Sequence, residues 1–296
     1  MAVPKFDRPM VYDGSKGTYL APEMAKAGKE ASDISEWLNL LAPEAVARCH
    51  RDYINAGSQV IETNTFNGNR FRLAKYGLAD KVHEVNLTAA RIARSEAGAT
   101  VSVAGKLGPS GKMLVMGEVT ADELRDAFAE QAKALDEGGV DFFQVETMAD
   151  LDEVAASIDG ARSVSQLPIA VTMSFDTGKA ESGLRTMMGV TPAQLVAKGD
   201  ELGLLAVGAN CGLGLTGYQT LFQQFIDAGP KMPVIAKVNA GIPVSDGKSV
   251  VYDGTPEKMA DYAVWVAGIG VRLIGVCCGS GPEHIEAIAN ALARLR

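Results

Sequence analysis

Four cysteines stand in this sequence, Cys49, Cys211, Cys277 and Cys278, and three of them close apolar runs that read as strands. A thiolate holds zinc at about 2.3 Å, and three protein ligands leave the fourth tetrahedral position open, the pattern of a catalytic rather than a structural ion. Zn2+ on Cys211, Cys277 and Cys278 would be electron-rich and a poor activator of water. It suits binding a substrate thiol as thiolate at neutral pH, so the chemistry implied is thiol alkylation. The plainer alternative is three small buried hydrophobes. Cys49 falls within a helical stretch and reads as an inert core residue. His50, His83 and His284 fall within helices or at helix starts and read as structural or exposed.

Positioning these thiols requires a scaffold, and strand and helix patterns alternate along the whole chain. Apolar runs over 10–14, 59–65, 100–105, 142–147, 168–175, 204–211, 233–239 and 272–278 predict strands. Helical periodicity covers 43–56, 80–97, 121–138, 150–163, 191–201, 217–228, 256–268 and 282–296. Thr120, Pro256 and Pro282 supply helix-start signals. Eight such units predict an α/β fold, a (β/α)8 TIM barrel forming a single domain over 1–296. An open doubly wound sheet is the alternative. The stretches 19–41 and 176–189 read as active-site loops or lids.

Barrel active sites lie at the C-terminal strand ends. Those ends carry Asp13-Gly14, Glu62-Thr63-Asn64-Thr65, Glu146-Thr147, Asn210-Cys211, Lys237-Val238-Asn239 and Cys277-Cys278-Gly279. Strands six and eight would be separated only by strand seven, roughly 10 Å tip to tip. Adjacent strand residues face opposite ways. Cys277 and Cys278 can therefore share one ion only if the chain bends, which Gly279 and Gly281 permit.

The formal net charge of −8, with no basic block, argues against nucleic acid as a partner. No apolar run approaches about 20 residues, so no membrane span is expected. The start, MAVPKFDRPM, has no apolar core of a secretory signal, and a cytoplasmic, reducing location follows. Lys106 and Lys237 at strand ends raise a rival chemistry, a Schiff-base lyase, which leaves the cysteines unexplained.

Six motifs carry a resemblance: Asp13-Gly14-Ser15-Lys16-Gly17-Thr18, Glu62-Thr63-Asn64-Thr65-Phe66-Asn67, Ala104-Gly105-Lys106-Leu107-Gly108-Pro109, Gly208-Ala209-Asn210-Cys211, Asn239-Ala240-Gly241-Ile242-Pro243, and Gly275-Val276-Cys277-Cys278-Gly279 with Pro282 and His284-Ile285. In that order the chain resembles the homocysteine-binding methyltransferase family, which includes betaine–homocysteine methyltransferase and the homocysteine module of cobalamin-dependent methionine synthase. The resemblance implies the barrel, zinc on Cys211, Cys277 and Cys278, and a homocysteine amino acid group held by Asp13, Gly14 and Glu146. Asn239 matches the residue that takes the fourth zinc position before homocysteine arrives, and Asn64 completes the expected substrate-facing set.

The implied reaction is methyl transfer to homocysteine, giving methionine. A small onium compound, betaine or a dimethylsulfonium, would be the donor, and Tyr19, Trp37, Phe66 and Phe175 would cage its charge. The alternative is the homocysteine-binding part of a split cobalamin- or folate-dependent methionine synthase, with a corrinoid protein as partner. A homo-oligomer is left open. Two departures bear on the reading. Val276 stands where the family has glycine, and Asn67 where the animal betaine enzymes have tyrosine.

Overall fold

The computed structural model describes residues 6, 8–30, 32–179, 183–212, 214–245 and 250–295. Eight parallel strands form the central sheet: β1 Met10–Val11, β2 Val60–Glu62, β3 Ser102–Leu107, β4 Phe142–Met148, β5 Ile169–Met173, β6 Ala206–Cys211, β7 Val234–Val238 and β8 Leu273–Val276. Their order is β1-β8-β7-β6-β5-β4-β3-β2, and a parallel bridge between Tyr12 and Val60 joins the two edges into a barrel. The (β/α)8 architecture expected from the alternation is present. The strands read as near-continuous apolar runs because both faces are covered, one by the lumen and one by helices.

Alternation along the strands builds the interior in layers. Val60, Ala104, Phe142, Ala170, Ala206, Ile235 and Leu273 fill the lower lumen, with Phe6 edge-on to Phe142 beneath them. Two residues onward come Glu62, Lys106, Gln144, Thr172, Gly208, Lys237 and Gly275. Gly208 is required there, since a Cβ would sit 1.9 Å from the Ile235 carbonyl oxygen. The opposite parity, including Val103, Phe143, Val145, Val171, Val207 and Val276, packs outward against helix residues such as Leu124, Phe128 and Leu135.

The eight expected helices appear with their ends shifted by at most three residues, among them Pro43–Asn55, Ala121–Glu137, Pro192–Leu202 and Pro282–Ala293. Thr120 with Glu123 and Thr191 with Gln194 form capping boxes, each satisfying backbone N–H groups that the helix itself leaves orphaned. The stretch 19–41 is not one loop. It contains most of a helix, Lys16–Lys26, started by the Ser15 side chain. The stretch 176–189 carries a hairpin, Thr177–Lys179 against Gly183–Arg185; positions 180–182 of it lie outside the described residues, as does Arg296. A second hairpin, Pro243–Ser245 against Val250–Tyr252, follows β7. Among the described residues no helix is long and apolar enough to cross a membrane.

Candidate metal and substrate site

Strand β8 ends at Val276, and the chain turns through Cys277, Cys278 and Gly279, the last at φ +82°. The turn answers the parity problem, because neither cysteine of the pair lies within the ladder. On β6, Asn210 follows the inward set while Cys211 would face out. Cys211 instead adopts φ +57°, a left-handed conformation uncommon for a non-glycine residue, and swings its thiol toward the pair. The three free thiols converge: Cys211 Sγ is 2.9 Å from Cys277 Sγ, Cys277 Sγ is 4.0 Å from Cys278 Sγ, and all three lie within 4.8 Å of one another. A tetrahedral ion at about 2.3 Å from each sulfur needs sulfurs roughly 3.8 Å apart, so small side-chain adjustments suffice. Hydrogen bonds from Cys211 and then Cys277 pull the Cys278 thiol down to about 3, while hydrogen bonds with Cys277 and then Cys278, with burial, raise Cys211 well above the ordinary thiol range.

Backbone and amide contacts fix these turns. Asn239 Oδ1 accepts from Cys278 N at 3.1 Å, and its Nδ2 donates to the Gly212 carbonyl at 3.3 Å, tying the turns after β6 and β8 together. Asn210 Nδ2 donates to Thr147 Oγ1 at 2.6 Å, its Oδ1 accepts from Thr147 N at 3.0 Å, and its amide lies 3.9 Å from Cys277 Sγ. Thr147 is itself at φ +61°. Tyr252, from the second hairpin, covers Gly279, where a Cβ would lie 2.2 Å from its ring.

Beneath the thiols, a cleft of about 180 Å³ has a charged floor. Lys237 Nζ pairs with Glu146 Oε2 at 2.7 Å and with Glu62. Lys106 Nζ pairs with Glu146 Oε1 at 3.1 Å and with Glu62. Burial alone would raise the Glu62 carboxyl, but Lys106 and Lys237 outweigh it and hold it well below the ordinary range. Glu146 goes the other way, raised to about 7 by burial first and the Glu62 carboxylate second. Burial would lower both lysines, yet Glu146 and Glu62 hold each above the ordinary lysine range. A Schiff-base lysine needs a depressed pKa to be a free amine. These two are locked as ammonium ions, and the lyase chemistry is set aside.

The remaining sequence candidates divide. Gly14 lines the cleft, and a Cβ there would strike Ser280 and Tyr53 at 2.7 and 2.8 Å. Asp13 is fully buried behind it, accepting from Glu62 N at 2.9 Å and pairing with Lys16. Asn64 lines the cleft, but its amide is committed to Ser35 and Asn39, pinning the 35–39 segment to the rim. The aromatic cage does not form. Phe175 is buried 5.5 Å from Phe225, the Tyr19 hydroxyl is bonded to Asp52, and Lys29 lies over the Trp37 ring; of the four, only Phe66 lines the cleft. Val276 is buried in the outer core and also borders the cleft beside the thiols. Cys49 is buried in the helix Pro43–Asn55 and is not part of the thiol cluster.

By sequence, Glu62 stands at a strand end without a role, and Lys106 and Lys237 belong only to the rival lyase chemistry, not to an ion-pair network. The signal was available, because each stands two residues beyond an inward apolar residue, Val60, Ala104 and Ile235. Nothing in the sequence marks Tyr252.

The profile of the homocysteine S-methyltransferase family matches residues 10–292. The chain belongs to that family. It is 31% identical to the methionine synthase of Mycobacterium leprae (strain TN) and 30% identical to that of Mycobacterium tuberculosis (strain ATCC 25618 / H37Rv), covering 97% and 98% of this chain. The chain spans about a quarter of the length of these relatives, 24% and 25%. In fold it is similar to the homocysteine methyltransferase MmuM from Escherichia coli in its metallated form, with a TM-score of 0.77, 22% identity and 96% of each chain covered. The oxidized form of that protein gives a TM-score of 0.76, 22% identity and 95% of each chain. Across this homocysteine S-methyltransferase barrel, the thiols and the charged floor gather at the C-terminal rim.

Proposed function

We propose that this chain methylates the sulfur of homocysteine, with zinc on Cys211, Cys277 and Cys278, and that a corrinoid protein delivers the methyl group. The observation that carries the reading is the convergence of three free thiols at the mouth of a cleft with a buried, charge-balanced floor. When bound, zinc supplies a Lewis-acid seat that keeps the substrate thiol deprotonated at neutral pH. Glu146 offers a carboxylate to the substrate ammonium, and the Gly14 turn lets the amino acid backbone approach closely. The strained turns at Thr147 and Cys211 aim the rim groups at one point. In the methyl transfer, the sulfur–carbon bond forms as the bond from the methyl carbon to its carrier breaks, in line. The thiol proton has already gone, so positioning dominates and no general base is needed.

Two observations favour a protein-borne donor over betaine or a dimethylsulfonium. Among the described residues, Phe66 alone of the four candidate aromatics faces the cleft. Beside the cleft, and sharing Thr147 with it, lies a second cavity of about 310 Å³ edged by Met113, Val115, Met187 and Met188. The chain's likeness to methionine synthases supports the same donor.

The test is methionine formation by the zinc-loaded protein from homocysteine plus betaine, S-methylmethionine or a methylated corrinoid protein. Turnover is expected with the corrinoid protein alone. Turnover with either onium compound would replace the corrinoid donor with the onium one.

A further inference from the structure

Glu146 is the carboxylate offered to the substrate's α-ammonium, but both its oxygens are already engaged, by Lys237 at 2.7 Å and Lys106 at 3.1 Å. A third cation there would crowd three ammonium groups around one buried carboxylate, which favours one of the lysines giving way. The two lysines differ. The Lys237 side chain is 2% exposed, lies 4.9 Å from the Tyr12 ring centroid and makes the shorter contact. The Lys106 side chain is 10% exposed, makes the longer contact and lines the cleft. Both lysines also pair with Glu62, so Lys106 can leave Glu146 without losing every partner.

The charges balance, with Asp13, Glu62 and Glu146 facing Lys16, Lys106 and Lys237. A buried charge is tolerated only when paired. A zwitterionic amino acid adds one charge of each sign, so exchanging partners leaves every charge matched. The substrate ammonium takes Glu146 Oε1, and the lysine it displaces needs an anion, which the substrate's own carboxylate supplies.

Resting on homocysteine as the acceptor, we propose that Lys106 is the receptor for the substrate carboxylate. Its ammonium stands on Glu146 where the substrate's α-ammonium goes, and on binding it turns to the carboxylate while keeping Glu62. Lys106 thereby makes the site select an α-amino acid thiol over a simple aminothiol.

The test is calorimetric binding to the zinc-loaded protein of homocysteine and of 3-mercaptopropylamine, which lacks only the carboxylate. Wild-type protein prefers homocysteine. Lys106→Met weakens homocysteine by roughly 30- to 100-fold, the worth of a charge-assisted contact, and changes the amine by less than about 3-fold. The charge-balanced double variant Glu62→Gln/Lys106→Met serves if the single variant does not fold, with the same expected collapse of discrimination. Equal weakening of both thiols, or undiminished discrimination, overturns the proposal while homocysteine binding by the wild type stands. Wild-type protein that binds neither thiol overturns the homocysteine reading and this assignment together.

Discussion

Lys237 on β7 crosses the barrel lumen to meet Glu146 on β4 at 2.7 Å, and the same ammonium reaches Glu62 on β2. This contact fastens opposite walls of the barrel above its apolar layer. Lys237→Met leaves two buried carboxylates with one lysine between them. Breaking a buried pair by removing one partner costs about 3–5 kcal/mol. The urea midpoint of Lys237→Met should fall accordingly, and Lys237→Met/Glu62→Gln should recover part of the loss. A single variant within about 1 kcal/mol of wild type would contradict a structural role for the crossing.

His50 gives the fold an acid-sensitive step. Its ring is fully buried on the helix Pro43–Asn55, and among the described residues neither ring nitrogen has a hydrogen-bond partner. Burial first, then Lys16 and Lys106, pushes its pKa well below the ordinary 6.5. The folded state therefore keeps His50 neutral while the unfolded chain protonates near 6.5. Its contribution to stability is intact above that pH and is lost as pH falls from there toward the depressed folded value. The slope is up to about 1.4 kcal/mol per pH unit. His50→Leu should flatten the decline in denaturant midpoint between pH 6.5 and 5. An unchanged slope in that variant would exclude His50 as its source.

Metal content separates the thiols. Cys211→Ser, Cys277→Ser and Cys278→Ser each remove one of three ligands and should lose most bound zinc together with methionine formation. Cys49→Ala should retain both, because Cys49 is buried in the hydrophobic core and takes no part in the thiol cluster. Chelation should abolish turnover, and added zinc should restore it. Metal analysis of the purified variants decides this, and full zinc retention in Cys277→Ser would exclude the three-thiolate site.

Much of this was legible in advance. The eight units were readable because a parallel barrel strand, covered on both faces, leaves an unbroken apolar run, and several of the following helices carry a start signal such as Thr120, Pro256 or Pro282. Cys211, Cys277 and Cys278 stood out because thiols at strand tips have few structural uses. The helix Lys16–Lys26 was hidden by Gly17 and Pro22, both poor helix formers, and forms because Leu20 and Met24 bury against the barrel. The cage of Tyr19, Trp37 and Phe175 failed because aromatic identity does not say which way a ring faces; Phe175 belongs to the outer core. The pairing of Lys106 and Lys237 with Glu62 and Glu146 depends on which strands face each other across the lumen, information no local window contains.

Asn239 tests how far the brace around the thiols governs the ion. Its amide joins Cys278 N to the Gly212 carbonyl, so Asn239→Ala frees both cysteine-bearing turns without touching a sulfur. Loss of such outer partners typically costs 10- to 100-fold in metal affinity. Competition with a fluorescent zinc chelator should register a loss of about that size, with unchanged thermal stability in the chelated protein. Unaltered affinity would reduce Asn239 to a turn residue.

The rim beside the cleft bears on the donor. Val115 is 68% exposed, Met113 41% and Met187 67%, on the loops after β3 and β5, and all three line the second cavity. Single exposed apolar residues are ordinary, but a cluster edging a cavity marks a contact surface. Thr147 belongs to both cavities, so a protein seated on these side chains would hold its methyl group next to the thiols. Val115→Glu/Met187→Glu puts two carboxylates into that contact. The double variant should bind homocysteine as the wild type does, because neither residue touches the cleft. Its rate with a methylated corrinoid protein should fall by at least about 10-fold, the effect of burying unpaired charge at the centre of an interface. Its rate with free methylcobalamin should stay near that of the wild type. An equal fall with both donors would mean the substitutions disturb the cleft itself, and no fall with either would remove this surface from donor delivery.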